Sequence, residues 1–314
     1  MHTTILITDP SRFLTSTGKA ERINKQAQLI RSQLFSGYFL MKNKTDSAAP
    51  REKGSGQTPF SVPPQGNKKL KRLLQLIKDD QELQQLWRCA NVNAVDRSGI
   101  SDHGEIHIRI VANAALKMLR LLIKGGIEPS VVKHHAMENN DAEIVVVLAA
   151  CFHDIGIAIH RDDHERYSLI LAYPKARQLL SNLYEEPDLT AMAAEVIHAV
   201  IAHNAEESCL TLEAGVLKVA DTLDMKEGRS RIPFEAGQVN IHSVSAQAVE
   251  AVEISKGDQL PLKIVITLAN SAGIFQVDEL LRRKLRNSTL EPYVEVVAKI
   301  DSESERKLIH EHRF

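Results

Sequence analysis

The stretch Glu143 to Phe152 (EIVVVLAACF) is apolar around the whole circumference of the helix it would form, and it runs directly into His153-Asp154. A helix of that kind has no face to offer water, so it belongs in the middle of a helical domain. The most buried element of that domain then ends in an imidazole and a carboxylate. Burying an ionised carboxylate without a partner is expensive, and a bound cation removes most of the penalty. This one segment predicts a helical core with ionisable groups gathered at one end.

The flanking sequence supplies the rest of such a domain. Helical periodicity begins at Lys68, with Leu70, Leu73, Leu74 and Ile77, then Leu83, Leu86 and Trp87. Asn91 to Gly99 reads as a loop. Asp102 then reads as an N-cap with Glu105 three residues on, opening a helix patterned by Ile106, Ile110, Val111, Ala114, Met118 and Leu122 that ends at Gly125-Gly126. Further helices are predicted at Glu165 to Ala172, Lys175 to Leu183, Leu189 to His203 and Leu212 to Met225. After Pro233 the period changes to two. Val239 to Val244, Val249 to Ile254, Leu262 to Leu268 and Val294 to Ile300 read as strands, with a helix from Asp278 to Leu285 between the last two.

The predicted fold class is therefore mainly α, an all-helical domain over 68–235 followed by a small α+β domain over 236–301. Four strands and one helix cannot bury much alone, so the second unit should pack on the helical domain or on a second copy in a homodimer. Residues 1–67 read as a disordered leader and linker, because 42–67 is rich in Ser, Thr, Pro, Gly and Lys without a hydrophobic period. The charged tail, 302–314, is expected to fray. Met41 is an alternative start.

A formal net charge of −1 sets up no global field toward nucleic acid or a membrane surface. The leader is locally basic, with nine Lys/Arg against four Asp/Glu, which keeps nucleic-acid binding open as a rival reading that predicts steep salt sensitivity. No stretch approaches roughly 18 uninterrupted apolar residues, so no membrane span is expected. Cys89, Cys151 and Cys209 are scattered in apolar company, which reads as reduced thiols of a cytoplasmic protein and leaves no Cys-based zinc site.

The histidines carry the chemistry. His103 and His107 are four apart at one helix start and so face one side. His153-Asp154 closes the apolar helix, His160 and His164 are again four apart, His198 and His203 end a later helix, and Asp221 sits in the next. His198 and His203 are about 140° apart around a helix, so both cannot easily face one ion, and His203 continues the Val196–Val200 row. Taken alone, His107 reads as a core histidine and His153-Asp154 as a pair against the helix dipole. Together with Asp221 they make a mixed N/O donor set without thiolate, which suits Mn, Fe, Co or Ni. A divalent ion there can acidify a bound water to hydroxide and polarise a phosphoryl oxygen, and two ions can share one carboxylate, for which Asp154 is the natural candidate.

His107 in HIRIVANAAL, the doublet in LAACFHDIG and Asp221 in LKVADTLDM resemble the HD-domain superfamily of metal-dependent phosphohydrolases, over roughly Gly99 to Pro233. The resemblance implies an HD-type helical domain with His107, His153, Asp154 and Asp221 as ligands of a first metal. His164 in HRDDHERYS and His203 in VIHAVIAHN look like the two histidines that a two-metal subgroup adds. It implies hydrolysis of a phosphomonoester or phosphodiester in a nucleotide or related small phosphorylated compound, by a metal-bound hydroxide, with His153 and Asp154 at the catalytic centre. Ile-Gly-Ile follows the doublet where several branches carry a lysine, no Gly-Tyr-Pro triplet occurs, and the Glu-Asp pair of the stringent-response hydrolases is absent. Arg229 and Arg231 in GRSR, Arg161 and His103 are the candidates for contact with substrate phosphate. The alternative is a regulatory HD module that binds a nucleotide or metal and turns nothing over.

Overall fold

Two short amphipathic helices open the structured part of the chain, α1 (Lys68–Asp79) and α2 (Gln81–Asn91). Leu70, Leu73 and Ile77 form the buried stripe of α1, and Leu83, Trp87 and Ala90 that of α2. Each start is capped by a side chain: Asn67 Oδ1 accepts from the Leu70 amide and Asp80 Oδ1 from the Leu83 amide, both at 2.9 Å. The computed structural model describes residues 60–225, 245 and 248–300, together with the backbone of 311–313. All of these lie in one unit, Thr58–Phe314. The leader up to residue 59, the strand expected at Val239 to Val244, and Arg229 and Arg231 lie outside the described residues.

Helices α3 (Glu105–Lys124), α4 (Ser130–His135), α5 (Asn139–Phe152), α6 (His164–Leu180), α7 (Asp188–Ala202) and α8 (Leu212–Thr222) complete the helical part. The axis of the arrangement is α5, every residue of which from Asp141 to Phe152 is buried. It packs against α1, α3, α4, α7 and α8, as its all-round apolar surface requires. A four-stranded sheet follows in the order β1 (Val249–Lys256), β2 (Leu262–Leu268), β3 (Val294–Ile300), β4 (Glu311–Arg313). β1 and β2 are antiparallel, β2 and β3 parallel, β3 and β4 antiparallel. The parallel pair is joined by a crossover that runs as a π-helical segment, Gln276–Arg282, into the short helix α9 (Arg283–Arg286).

Alternation decides which face of the sheet is covered. Leu262, Ile264, Ile266 and Leu268 are fully buried, and their β3 partners Val294, Val296, Ala298 and Ile300 lie beside them. These residues join the same hydrophobic core as the helices, with β1 and β2 against α3. Docking on the helical part, one of the two covers expected for the strand unit, is thus met within a single chain. Among the described residues no helix is long and apolar enough to cross a membrane.

Five local expectations are corrected. The α3 helix starts at Glu105 after Gly104, so Asp102 is not its N-cap residue, although its Oδ1 still accepts from the amides of Gly104 (3.2 Å) and His107 (3.4 Å). The predicted loop after α2 is a π-helical turn, Val92–Arg97, anchored where Asn93 Nδ2 donates to the carbonyls of Ile157 (2.7 Å) and Ala158 (3.0 Å). Glu165 to Ala172 and Lys175 to Leu183 are not separate helices but one, α6, running through Pro174. Ile170 is 65% exposed there, so water can take the carbonyl that proline leaves without a donor. Residues 60–67 are part of the packed structure rather than linker: Val62 is buried, the Phe60 ring lies 5.6 Å from that of Trp87, and Asn67 is a cap. Within the charged tail, Glu311–Arg313 pairs with β3 instead of fraying.

Candidate metal centre

Each of the four histidines at the inner end of the core presents its Nε2 because its Nδ1 has an acceptor. At the end of α5, His153 Nδ1 lies 2.8 Å from the Ala150 carbonyl, and at the end of α7, His203 Nδ1 lies 2.5 Å from the Val200 carbonyl. Both are contacts back to residue i−3, available because the last carbonyls of a helix have no intrahelical donor. His107, in the first turn of α3, has its Nδ1 2.7 Å from Asp224 Oδ2. His164 opens α6 after Asp163, which takes the left-handed conformation at φ 55°. An Nδ1–H on His164 has two acceptors, the Arg161 carbonyl at 3.1 Å and Glu165 Oε2 at 3.3 Å, with Arg161 Nη1 at 2.8 Å as the competing donor. These partners assign the tautomers that leave Nε2 lone pairs facing inward.

The inward atoms form two groups that share Asp154. His107 Nε2 is 3.1 Å from His153 Nε2, 3.3 Å from Asp154 Oδ2 and 3.4 Å from Asp221 Oδ1. His153 Nε2 is 3.1 Å from the same Asp154 oxygen and 3.6 Å from Asp221 Oδ1. The other Asp154 oxygen, Oδ1, is 3.1 Å from His164 Nε2 and 3.7 Å from His203 Nε2. Donors bonded at about 2.1 Å to one ion lie about 3.0 Å apart at neighbouring octahedral positions and about 3.4 Å apart at tetrahedral ones. The shorter separations match a coordination shell and the longest, 3.6 and 3.7 Å, lie just beyond it, and His107, His153 and Asp221 on one side and Asp154, His164 and His203 on the other could each hold a metal ion.

Electrostatics fit the same arrangement. Burial opposes the charge on Asp154, but His153, His107 and His164 together hold its carboxyl well below the usual range. Burial likewise opposes charge on Asp221 and is outweighed by Lys284, then by His107 and His153. Burial pulls His153 down, yet the carboxylates of Asp154 and Asp221 push it up to about 10. His203 is held below its ordinary value by burial, only partly offset by Asp154.

Position is also enforced through the backbone. The turn Ile155–Ala158 after the doublet is tied to α6 by Ser168, whose hydroxyl accepts from the Gly156 amide (2.8 Å) and donates to the His153 carbonyl (2.7 Å). Asn204 Nδ2 donates to Glu165 Oε1 at 2.9 Å and so joins the end of α7 to the start of α6.

Of the residues singled out from the sequence, the structure brings together His107, His153, Asp154, His164, His203 and Asp221. His103 precedes α3 rather than sharing its first turn, but its ring lies 5.5 Å from that of His107. Arg161 is exposed beside His164. His198 points elsewhere, accepting from the Leu210 amide at 3.1 Å. Sequence reasoning missed Asp224 and Lys284. Asp224 follows Asp221 by three within the helix expected to run to Met225, so it carried a signal, although α8 itself ends at Thr222. Lys284 carried none, because it reaches Asp221 from the crossover between β2 and β3.

The HD domain family model matches residues 105–226. The uncharacterized protein MJ1020 of Methanocaldococcus jannaschii is 43% identical over 229 residues, covering 73% of this chain and 88% of that protein. No solved structure matches.

Proposed function

The chain belongs to the HD-domain superfamily, and from that premise we propose that it is a two-metal phosphohydrolase acting on a small phosphorylated substrate, a nucleotide or a related compound. The observation that carries this reading is the division of one buried carboxylate: Asp154 turns Oδ2 toward His107 and His153 and Oδ1 toward His164 and His203. His107, His153, Asp221 and Asp154 Oδ2 would hold one ion, and Asp154 Oδ1, His164 and His203 a second. The all-N/O donor set favours Mn, Fe, Co or Ni. When bound, such ions supply Lewis acidity toward a phosphoryl oxygen and lower the pKa of coordinated water.

The chain's own residues hold this apparatus in one geometry. Asp224 and the carbonyls of Ala150 and Val200 keep three imidazoles turned inward. Arg161 stands beside His164, where its guanidinium can take a phosphate by bidentate contact, and His103 stands beside His107. Arg229 and Arg231 are proposed as further phosphate contacts on the grounds of sequence alone. The free thiols Cys89, Cys151 and Cys209 fit the cytoplasmic setting proposed for the chain.

The test is metal analysis of purified protein followed by a panel of phosphomonoesters, phosphodiesters and nucleotides, with and without added Mn2+. Metal-dependent release of phosphate or nucleotide is expected. Metal uptake without turnover of any member of the panel would instead establish a binding module.

A further inference from the structure

Among the described residues, the strand unit reaches the metal centre through a side chain of its crossover. Lys284, on α9, places its Nζ 2.6 Å from Asp221 Oδ2. The other oxygen of that carboxylate, Oδ1, is the one that faces His107 and His153. Both side chains are largely shielded, at 18% exposure for Lys284 and 15% for Asp221. An ammonium ion is held in such a place only where a partner offsets its lost hydration.

The backbone that carries Lys284 is fixed independently of this contact. Asn287 Nδ2 donates to the Ala205 carbonyl (2.7 Å), and the Asn287 carbonyl accepts from the Cys209 amide (3.1 Å) and from Lys218 Nζ (3.3 Å). Thr289 Oγ1 donates to the Thr211 carbonyl at 3.0 Å, and Arg283 pairs with Glu206. The segment from Arg283 to Thr289 is thus fastened along the connection between α7 and α8, the stretch of chain that separates His203 from Asp221. Lys284 is delivered to Asp221 by a latch of its own.

We propose that Lys284 is a positioning residue of the metal centre: by engaging Asp221 Oδ2 it leaves Oδ1 alone to face the ion, so that the helical part obtains one determinant of its metal geometry from the strand unit. The proposal rests on the two-metal reading above. Outer partners of this kind orient ligating carboxylates, and losing one costs about 10–100-fold in metal affinity.

Titration of the full chain with Mn2+, and in parallel with Co2+, against a competing chelator tests it. Lys284→Met keeps the aliphatic stem and removes the ammonium, so affinity should fall about 10–100-fold while the far-ultraviolet circular dichroism stays unchanged. Should that variant not fold, Lys284→Gln carries the same expectation. Lys284→Arg should recover most of the loss. Asn287→Ala removes one of several latch contacts and leaves the ammonium of Lys284 in place, so its thermal midpoint should fall and its metal affinity should drop by much less than that of Lys284→Met. Equal metal affinity in wild type and Lys284→Met, or an equal loss in Asn287→Ala, would overturn the positioning role and leave the metal site standing. A wild-type chain that binds neither ion would overturn the metal reading, and the role of Lys284 with it.

Discussion

Asp154 Oδ1 stands 3.1 Å from His164 Nε2, while the other oxygen of the same carboxylate stands 3.1 Å from His153 Nε2. The two histidines come from different helices, one at the end of α5 and one at the start of α6, so the carboxylate stands between two groups of donors. If each group holds one ion, removing a ligand peculiar to one group should empty that group alone. His164→Ala is expected to lower the metal content of purified protein from two ions per chain toward one. Asp154→Ala should deplete both and abolish turnover, and Asp154→Asn, which keeps the shape, should do nearly as much harm because the charge is what holds the cations. Elemental analysis reads all three, and an unchanged content in His164→Ala would reduce the centre to one ion.

Asp224 acts one layer further out. Its Oδ2 is 2.7 Å from His107 Nδ1, and an imidazole that donates there keeps Nε2 as a lone pair. Asp224→Asn offers an amide that can present the wrong end to the ring, so metal affinity is expected to drop about 10-fold or more with the fold intact. Chelator competition would show it. Retention of full affinity would mean that the ring of His107 is held by its packing alone.

Much of this is legible in the sequence. The all-round apolar character of Glu143 to Phe152 placed α5 at the centre, and the order of His107, His153-Asp154 and Asp221 along helical segments placed the donors at its end. The strands at Leu262 to Leu268 and Val294 to Ile300 show a period of two, broken at Val265 and Val297. What could not be read depends on partners distant in sequence. Lys284 meets Asp221 only because a crossover helix docks on α8, and no local pattern encodes that. The helices expected at Glu165 to Ala172 and Lys175 to Leu183 are one, because Pro174 between them lies on an exposed side where the helix can continue.

Asp141 predicts a pH dependence unconnected with metal. It is buried at the start of α5, with Oδ1 2.7 Å from Lys69 Nζ and 2.6 Å from the Tyr184 hydroxyl, and Oδ2 accepting from the Glu138 amide at 2.9 Å. Burial raises its pKa, but the bonds from Lys69, Tyr184 and Glu138 prevail and hold the carboxyl below its ordinary 3.8. A lowered folded value means that its stabilisation is present above 3.8 and is lost as pH falls through the folded value. Asp141→Ala should cost about 3 kcal/mol in urea unfolding at neutral pH, since a buried hydroxyl is also left without its acceptor. The gap between wild type and variant should narrow on acidification below 3.8, and a gap that stays constant would assign the loss to packing.

The boundary of the folded unit gives a truncation test. A chain beginning at Thr58 keeps Phe60 against Trp87, buried Val62 and the Asn67 cap, whereas one beginning at Lys68 loses all three. The first should unfold at the wild-type denaturant midpoint. The second should lose about 3 kcal/mol, from one buried aliphatic side chain and one helix cap. Equal midpoints would return residues 60–67 to the linker.

Gly156 gives the sharpest link between packing and chemistry. It lies in the turn that follows the His153-Asp154 doublet, and its amide donates to Ser168 Oγ at 2.8 Å. A Cβ built on it falls well inside van der Waals contact with the His164 carbonyl and the Ser168 amide. Both are backbone atoms of α6, so neither can swing aside as the end of a flexible side chain would. Gly156→Ala must therefore push the turn and α6 apart, at a cost of about 3 kcal/mol or more. The displacement falls on the contact that sets Asp154 against His164, so the group that includes His164 and His203 should suffer first. Differential scanning calorimetry and metal analysis on the same preparation would read both effects. A variant with wild-type stability and metal content would show that this close approach does not position the centre.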